Sequence, residues 1–304
     1  MISPSSTTEP RTPTGMNYHL LGIDLDGTLL QRDQTILDAD RDAIHDALDA
    51  GVVVVPCTGR AWHESRHALR QLDGLSKGLD EGVFVTGALV TELASGRVRD
   101  HASFEPGLLR EIVEALEGLP EAVLVFRVPD RVDHDYLVTG QGAMTPNTRW
   151  WFEHSGARVV ERRAMRDEDR DHCVRVAVVS TLPDMSHFVA EMAERFGNRI
   201  ETHSFEGVER VGEQEPVQIL EVFPAGCSKW RGLRAVADRR GIDDAHIAMI
   251  GDQVNDLPAI EAAGLGVAMG NAIDAVKIAS DRVTLPHTEA GVAYAIRRML
   301  DGRW

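Results

Sequence analysis

The order of apolar and polar positions divides the chain into two stretches of strand and helix alternation with an irregular stretch between them. Tyr18 to Leu25 and Val52 to Pro56 are continuous apolar runs, the pattern of strands buried on both faces. Between them Leu37 to Ala50 carries Ile44, Ala47 and Leu48 at helical spacing, and Gly51 stands where a helix would stop. Ala61 to Leu72 is the next expected helix, and Val83 to Val85 a third short strand. The rhythm returns near the C-terminus, with strand-like Val217 to Phe223, Ile247 to Ile250 and Gly266 to Ala268. Helices are expected there over Ser228 to Arg240, Asp256 to Ala263 and Glu289 to Leu300. Such alternation implies an α/β fold: a Rossmann-like, doubly wound parallel sheet whose ligands gather at the carboxyl ends of its strands.

The middle of the chain breaks this rhythm. Val123 to Val128, Tyr136 to Thr139 and Val174 to Ser180 read as strands, with helices near Pro106 to Leu116 and Pro183 to Phe196. The expected organisation is therefore a core of residues 18–90 and 214–304 interrupted by an inserted α+β domain over 91–213. Residues 1–17, rich in Ser, Thr and Pro, read as a disordered tail without the apolar segment of a signal peptide.

Composition narrows the partners. A chain of 304 residues, 43% of them hydrophobic, has material for more than one globular unit. Its 32 Lys and Arg against 48 Asp and Glu give a formal charge of -16, which disfavours a nucleic-acid backbone or an anionic membrane as partner. An anionic small substrate would need a locally positive pocket. No apolar run approaches the length of a membrane span, and a cytoplasmic location is expected. Cys57, Cys173 and Cys227 are odd in number and widely spaced, so they read as buried bystander thiols.

Polar residues cluster at the ends of the expected strands, and a parallel sheet would bring them to one edge. Asp24 and Asp26 follow the first strand, Thr58 and Gly59 the second, and Lys229 opens a helix. Gly251-Asp252-Gln253-Val254-Asn255-Asp256 follows Ile247 to Ile250. Asp24 and Asp26 stand two apart, so both side chains can face one crevice.

In this order, the run Asp24-Leu25-Asp26-Gly27-Thr28, then Thr58-Gly59-Arg60, then Lys229, then the GDxxND run resemble the signature motifs of the haloacid dehalogenase superfamily. The insert between the second and third motifs, with GLGVAMGNA over Gly264 to Ala272, resembles the Cof-type phosphatases, which carry an α/β cap over a Rossmann-like core. The resemblance implies a Mg²⁺-dependent phosphatase of small phosphorylated metabolites, such as sugar phosphates or phosphorylated cofactors. Asp24 would be the nucleophile and Asp26 the acid and base. Asp24, the Asp26 carbonyl and Asp252 would hold Mg²⁺, which accepts few protein oxygens and keeps several waters. Thr58, Gly59 and Asn255 would bind phosphate, Lys229 would neutralise charge, and Asp256 would orient Lys229. A monomer or homodimer is expected.

Other readings compete. A phosphotransferase or mutase would use the same motifs, whereas a non-catalytic metabolite-binding regulator would have no use for the full acidic set. His63-Glu64-Ser65-Arg66-His67 matches the HExxH zinc-hydrolase pattern literally, yet it lies directly after the Thr58-Gly59-Arg60 motif and has no third ligand nearby. Gly264, Gly266 and Gly270 are misspaced for a dinucleotide fingerprint. Trp150 and Trp151 suit either the core of the insert or an interdomain contact, with stacking on a substrate ring as the alternative. Thr86-Gly87-Ala88 stands where Cof-type proteins usually read Asn-Gly-Ala.

Overall fold

The computed structural model describes residues 17–72, 78–182, 184–206 and 217–304. The expected tail lies outside them apart from Asn17, as does the 213/214 edge of the insert. The first part of the chain runs β1 (Leu20–Asp24), α1 (Asp38–Asp49), β2 (Val53–Cys57), α2 (Trp62–Leu69), β3 (Glu81–Phe84), β4 (Leu89–Glu92) and β5 (Val98–His101). The middle supplies α3 (Pro106–Leu116), β6 (Val123–Arg127), β7 (Tyr136–Thr139), α4 (Pro146–Ser155), β8 (Val159–Glu161), β9 (Cys173–Ser180), α5 (Ser186–Phe196), β10 (Ile200–Glu206) and β11 (Gln218–Pro224). The last part is α6 (Lys229–Arg240), β12 (Ile247–Gly251), α7 (Leu257–Ala262), β13 (Leu265–Ala268), α8 (Asp274–Ala279), β14 (Arg282–Val283) and α9 (Gly291–Leu300).

Eight strands form one sheet in the order β14-β13-β12-β1-β2-β3-β4-β5. The run from β14 to β3 is parallel, and β4 and β5 extend it antiparallel. β1 and β12 are buried throughout, which explains their unbroken apolar sequence. β1 lies between β2 and β12, so the chain leaves it in one direction and returns on the other side. That reversal opens a crevice at the carboxyl end of β1. Packed beside each other, α1 and α9 are tied by the fully buried Asp40, whose Oδ1 accepts the Ala293 N–H at 2.7 Å.

The other sheet has six strands, β10-β11-β9-β6-β7-β8, antiparallel except for the β7–β8 pair. One face, with Val123, Val125, Val176 and Leu220, packs on Leu109 and Ile112 of α3 and Met192 and Phe196 of α5. The opposite face, with Leu124, Phe126, Tyr136 and Phe223, is continuous with the apolar core of the first sheet.

Two strand pairings lie near the edges of the insert expected over 91–213. Val98–His101 pairs with β4 in the eight-stranded sheet. Gln218–Pro224, expected to rejoin the parallel sheet, pairs antiparallel with β9 and β10 instead. An apolar run looks alike in either sheet, so only its partners decide where it belongs. The helix expected over Pro183 to Phe196 begins at Ser186, and Pro183 itself lies outside the described residues.

Candidate active site

Four strand ends build the site. Asp24 closes β1, and the chain then turns through Leu25 to Leu30, where the Thr28 and Leu29 N–H groups return to the Leu25 carbonyl. Gly27 takes φ +78° in that turn, and a Cβ there would stand 2.5 Å from Asp252 Oδ2. Glycine thus meets two demands: a left-handed backbone and close approach of a carboxylate. The Thr28 hydroxyl donates to Asp252 Oδ1 at 2.9 Å, joining the first motif to the last across 224 residues of sequence.

Lys229 is fully buried at the start of α6, whose preceding Ser228 accepts the Arg231 N–H as a helix cap. Its Nζ donates to Asp24 Oδ1 at 2.5 Å, to Asp256 Oδ1 at 2.6 Å and to Asn255 Oδ1 at 3.4 Å. The second oxygen of Asp256 accepts the N–H groups of Asp252 and Gln253, both at 2.9 Å. Asp256 is therefore occupied in shaping the turn after β12 and in fixing the ammonium. Gly251 leaves the room, since a Cβ there would meet the Asp256 Cγ at 2.4 Å.

Asp24, Asp252 and Asp256 are buried with ligand oxygens within 4.8 Å of one another, the one such group of potential metal-binding side chains among the described residues. Burial pushes Asp24 well above the ordinary carboxylate range; Lys229 opposes the rise, and Asp256 and Asp252 add to it. Burial and Asp256 raise Asp252 to about 6 against the pull of Thr28 and Lys229. Burial lowers Lys229, but Asp24 and Asp256 outweigh it and hold the ammonium charged. Three clustered, buried carboxylates have one buried ammonium among them, so with all three ionised the set is short of positive charge by the charge of one divalent cation. Hard oxygen donors at this density fit Mg²⁺.

On the opposite wall Thr58 is buried, and its hydroxyl accepts the Arg60 N–H at 3.1 Å. A methyl placed at Gly59 would lie 3.5 Å from Thr86 Oγ1 and 3.8 Å from Asn255 Nδ2, so these three residues converge. Val85 and Thr86 take φ +52° and +55°, and Gly87 +91°. Two successive non-glycine residues in the left-handed region are a strained arrangement, held here by the Thr86 N–H bond to the Thr58 carbonyl. The site excludes a side chain at Gly87, whose Cβ would fall 1.7 Å from the Ser228 carbonyl oxygen.

Asp26 differs from its neighbours. It is exposed at the mouth of the crevice and paired with Arg60, whose other Nη donates to Gln34 Oε1 at 2.6 Å. The structure thus brings Asp24, Lys229, Asp252, Asn255 and Asp256 into one contact network, and Asp26, Thr58 and Gly59 onto its rim. Thr28 and Arg60 were not singled out from the sequence, although each stands inside a motif. Asn271 was also missed: its amide donates to the Gly27 carbonyl at 2.8 Å, and its Oδ1 accepts the His287 N–H at 2.8 Å. Its signal was its place in the GLGVAMGNA run.

A family model for haloacid dehalogenase-like hydrolases matches residues 21–296. The chain belongs to this family. It is 29% identical over 301 residues to the 5-amino-6-(5-phospho-D-ribitylamino)uracil phosphatase YwtE of Bacillus subtilis, covering 93% of this chain and 99% of that one. A Thermotoga maritima crystal structure is 25% identical, with a TM-score of 0.68, covering 92% of this chain and 97% of that one. A haloacid dehalogenase-like hydrolase from Bacteroides thetaiotaomicron, 22% identical, shares the fold at a TM-score of 0.70, covering 93% and 99%.

The competing motifs have other uses. Glu64 Oε2 accepts the Ala61 N–H at 2.9 Å, a helix cap for α2, and His63, Glu64 and His67 form no ligand cluster. Trp151 meets Tyr136 edge-on at 5.4 Å and belongs to the apolar contact between the sheets, while Trp150 stacks on His154. The three cysteines are buried and free, and burial raises each thiol. No helix among the described residues is long and apolar enough to cross a membrane.

Proposed function

We propose that the protein is a Mg²⁺-dependent phosphatase of small phosphorylated metabolites that works through an aspartyl-phosphate on Asp24. One observation carries the reading: Asp24 and Asp256 hold a single buried ammonium at the carboxyl edge of the sheet, and Asp252 brings a third carboxylate within 4.8 Å of theirs. Phosphate monoesters resist hydrolysis so strongly that enzymes lower the barrier by on the order of 20 kcal/mol, more than one acid or base supplies. Nucleophile, fixed cation and acid must act together.

Lys229 holds one oxygen of Asp24, and the other attacks phosphorus as the bond to the leaving oxygen breaks. Asp26, as the acid, gives that oxygen its proton, and its exposed position lets it reach both substrate and water. Asp26 then takes a proton from water, the water oxygen bonds to phosphorus, and the bond to Asp24 Oδ breaks, releasing inorganic phosphate. Arg60 holds Asp26 toward the crevice. Thr58, the Gly59 amide and Asn255 bind phosphate oxygens, and Asp256 keeps Lys229 aimed at Asp24. Asp24, Asp252 and the Asp26 carbonyl are the residues that would hold Mg²⁺. When bound, it offsets the negative charge that otherwise repels an anionic substrate.

The six-stranded unit serves as a cap, set in the chain between the second and third motifs, with one face turned to the core. A sugar phosphate or phosphorylated cofactor suits such an enclosure, and the relative named as a ribitylaminouracil phosphatase supports that size class. A phosphotransferase would share the covalent step, but the relative's hydrolytic name favours water as acceptor. A cytoplasmic monomer or homodimer completes the reading. The test is turnover of an aryl phosphate. Asp24→Asn is expected to abolish it with the fold intact, and EDTA to suppress wild-type turnover until Mg²⁺ is restored. Near-wild-type turnover by Asp24→Asn would remove the nucleophile from the proposal.

A further inference from the structure

We infer that Asn271 is a positioning residue for the acid: through the Gly27 carbonyl it fixes where the Asp26 carboxyl stands over the leaving oxygen. The inference rests on the reading of Asp26 as that acid. The Asp26 side chain is 48% exposed, and its polar partner is Arg60. It lacks the enclosure that holds Asp24, so the backbone of its turn does most of the aiming.

The turn first closes on itself. The N–H groups of Thr28, Leu29 and Leu30 return to the Leu25 carbonyl at 3.3, 3.0 and 2.8 Å. Those bonds shape the turn but leave open how it is tilted against the rest of the site. Two side-chain bonds from outside decide that. The Thr28 hydroxyl reaches Asp252 Oδ1 at 2.9 Å, and Asn271 Nδ2 donates to the Gly27 carbonyl, next to Asp26, at 2.8 Å.

Asn271 is itself anchored to the strand end that carries Asp252. The Met269 N–H donates to the Gly251 carbonyl at 3.0 Å and the Ile273 N–H to the Asp252 carbonyl at 3.1 Å. The orientation of its amide is also fixed, because Oδ1 accepts the His287 N–H at 2.8 Å and Nδ2 is left to face a carbonyl. The His287 carbonyl in turn accepts Gln31 Nε2 at 2.8 Å. One bridge, through Asn271 and the backbone of His287, thus holds the segment after β1 at both Gly27 and Gln31. Asparagine suits the place because it offers a donor and an acceptor from one short planar group.

A general acid contributes about 10²- to 10⁴-fold in rate, and a misplacement of about 1 Å costs on the order of 100-fold. That loss depends on the leaving group. A nitrophenolate departs as a stable anion and needs little protonation, whereas a benzyl alkoxide of similar size must receive its proton as the bond to phosphorus breaks.

The test compares kcat/KM of the full chain with Mg²⁺ on p-nitrophenyl phosphate and benzyl phosphate, since kcat/KM covers the steps up to departure of the leaving group. Asn271→Ala is expected to lose about tenfold or more on the benzyl ester relative to the nitrophenyl ester. Asn271→Asp keeps the acceptor for His287 but sets an oxygen against the Gly27 carbonyl, and should show the same selective loss. The Mg²⁺ concentration for half-maximal activity should stay within about twofold of wild type in both variants, because the side chain acts through the acid and not through the metal-binding carboxylates. Equal losses on the two esters, a wild-type Asn271→Asp, or a shifted Mg²⁺ requirement overturns the inference. Asp26→Asn sets the scale: without a selective loss on the benzyl ester in that variant, the acid assignment falls and the inference with it. Turnover of both esters by the wild type and of neither by Asp24→Asn keeps the phosphatase reading whatever the Asn271 variants do, and no turnover by the wild type overturns both.

Discussion

Gly27→Ala isolates the contact on which the acidic set depends. The new Cβ would stand 2.5 Å from Asp252 Oδ2, and ordinary contact begins at 3.4 Å, so the carboxylate must retreat by roughly 1 Å. Its backbone cannot follow, because the Asp252 N–H is bound to Asp256 at 2.9 Å and its carbonyl accepts the Ile273 N–H at 3.1 Å. Only side-chain rotation remains, and that breaks the 2.9 Å bond from Thr28. A displacement of about 1 Å in a catalytic group costs on the order of 100-fold in rate. Placing alanine at φ +78° adds about 1–2 kcal/mol of backbone strain, seen as a fall of a few degrees in Tm. Gly241→Ala is the matched control: it has φ +66° at the end of α6, with nothing within 4 Å of the added methyl. Aryl phosphate kinetics and thermal melts of both variants should show similar losses of Tm, with the 100-fold loss of kcat/KM in Gly27→Ala alone. Equal kinetics in the two variants would refute the reasoning.

Two further outcomes are expected. Thr28→Val, nearly isosteric, removes the hydroxyl bond to Asp252 Oδ1 and should raise the Mg²⁺ concentration for half-maximal activity about tenfold, read from a metal titration of turnover. Burial raises Asp40 from 3.8 to about 6, opposed by the Ala293 N–H and Arg297. The proton is then held more tightly in the folded chain, and this source of stability is full below pH 3.8 and drains away as pH rises through about 6. A carboxamide cannot ionise, so Asp40→Asn should fall about 1 kcal/mol below the wild type near pH 4, the cost of its buried amide, and exceed it by roughly 1–2 kcal/mol at pH 8. Denaturant unfolding at the two pH values checks this, and an advantage independent of pH would contradict it.

The ends of the buried strands were legible because a parallel sheet imposes a local rule. A long apolar run followed at once by Asp24, Thr58 or Asp252 marks a strand whose polar residues gather on one edge. The four motifs carried the family for the same reason: their order along the chain follows the strand and helix termini that hold them. Contacts across the sheet could not be read this way. Nothing near Thr28 indicates that its hydroxyl reaches a carboxylate 224 residues away. Gln218–Pro224 makes the limit plain, because its apolar pattern suits either sheet. Periodicity is a property of one segment, whereas strand partners and the charge balance around Lys229 arise only when distant segments share the same volume. The sequence by itself therefore determined which groups can do chemistry, and the tertiary structure alone decided which of them touch.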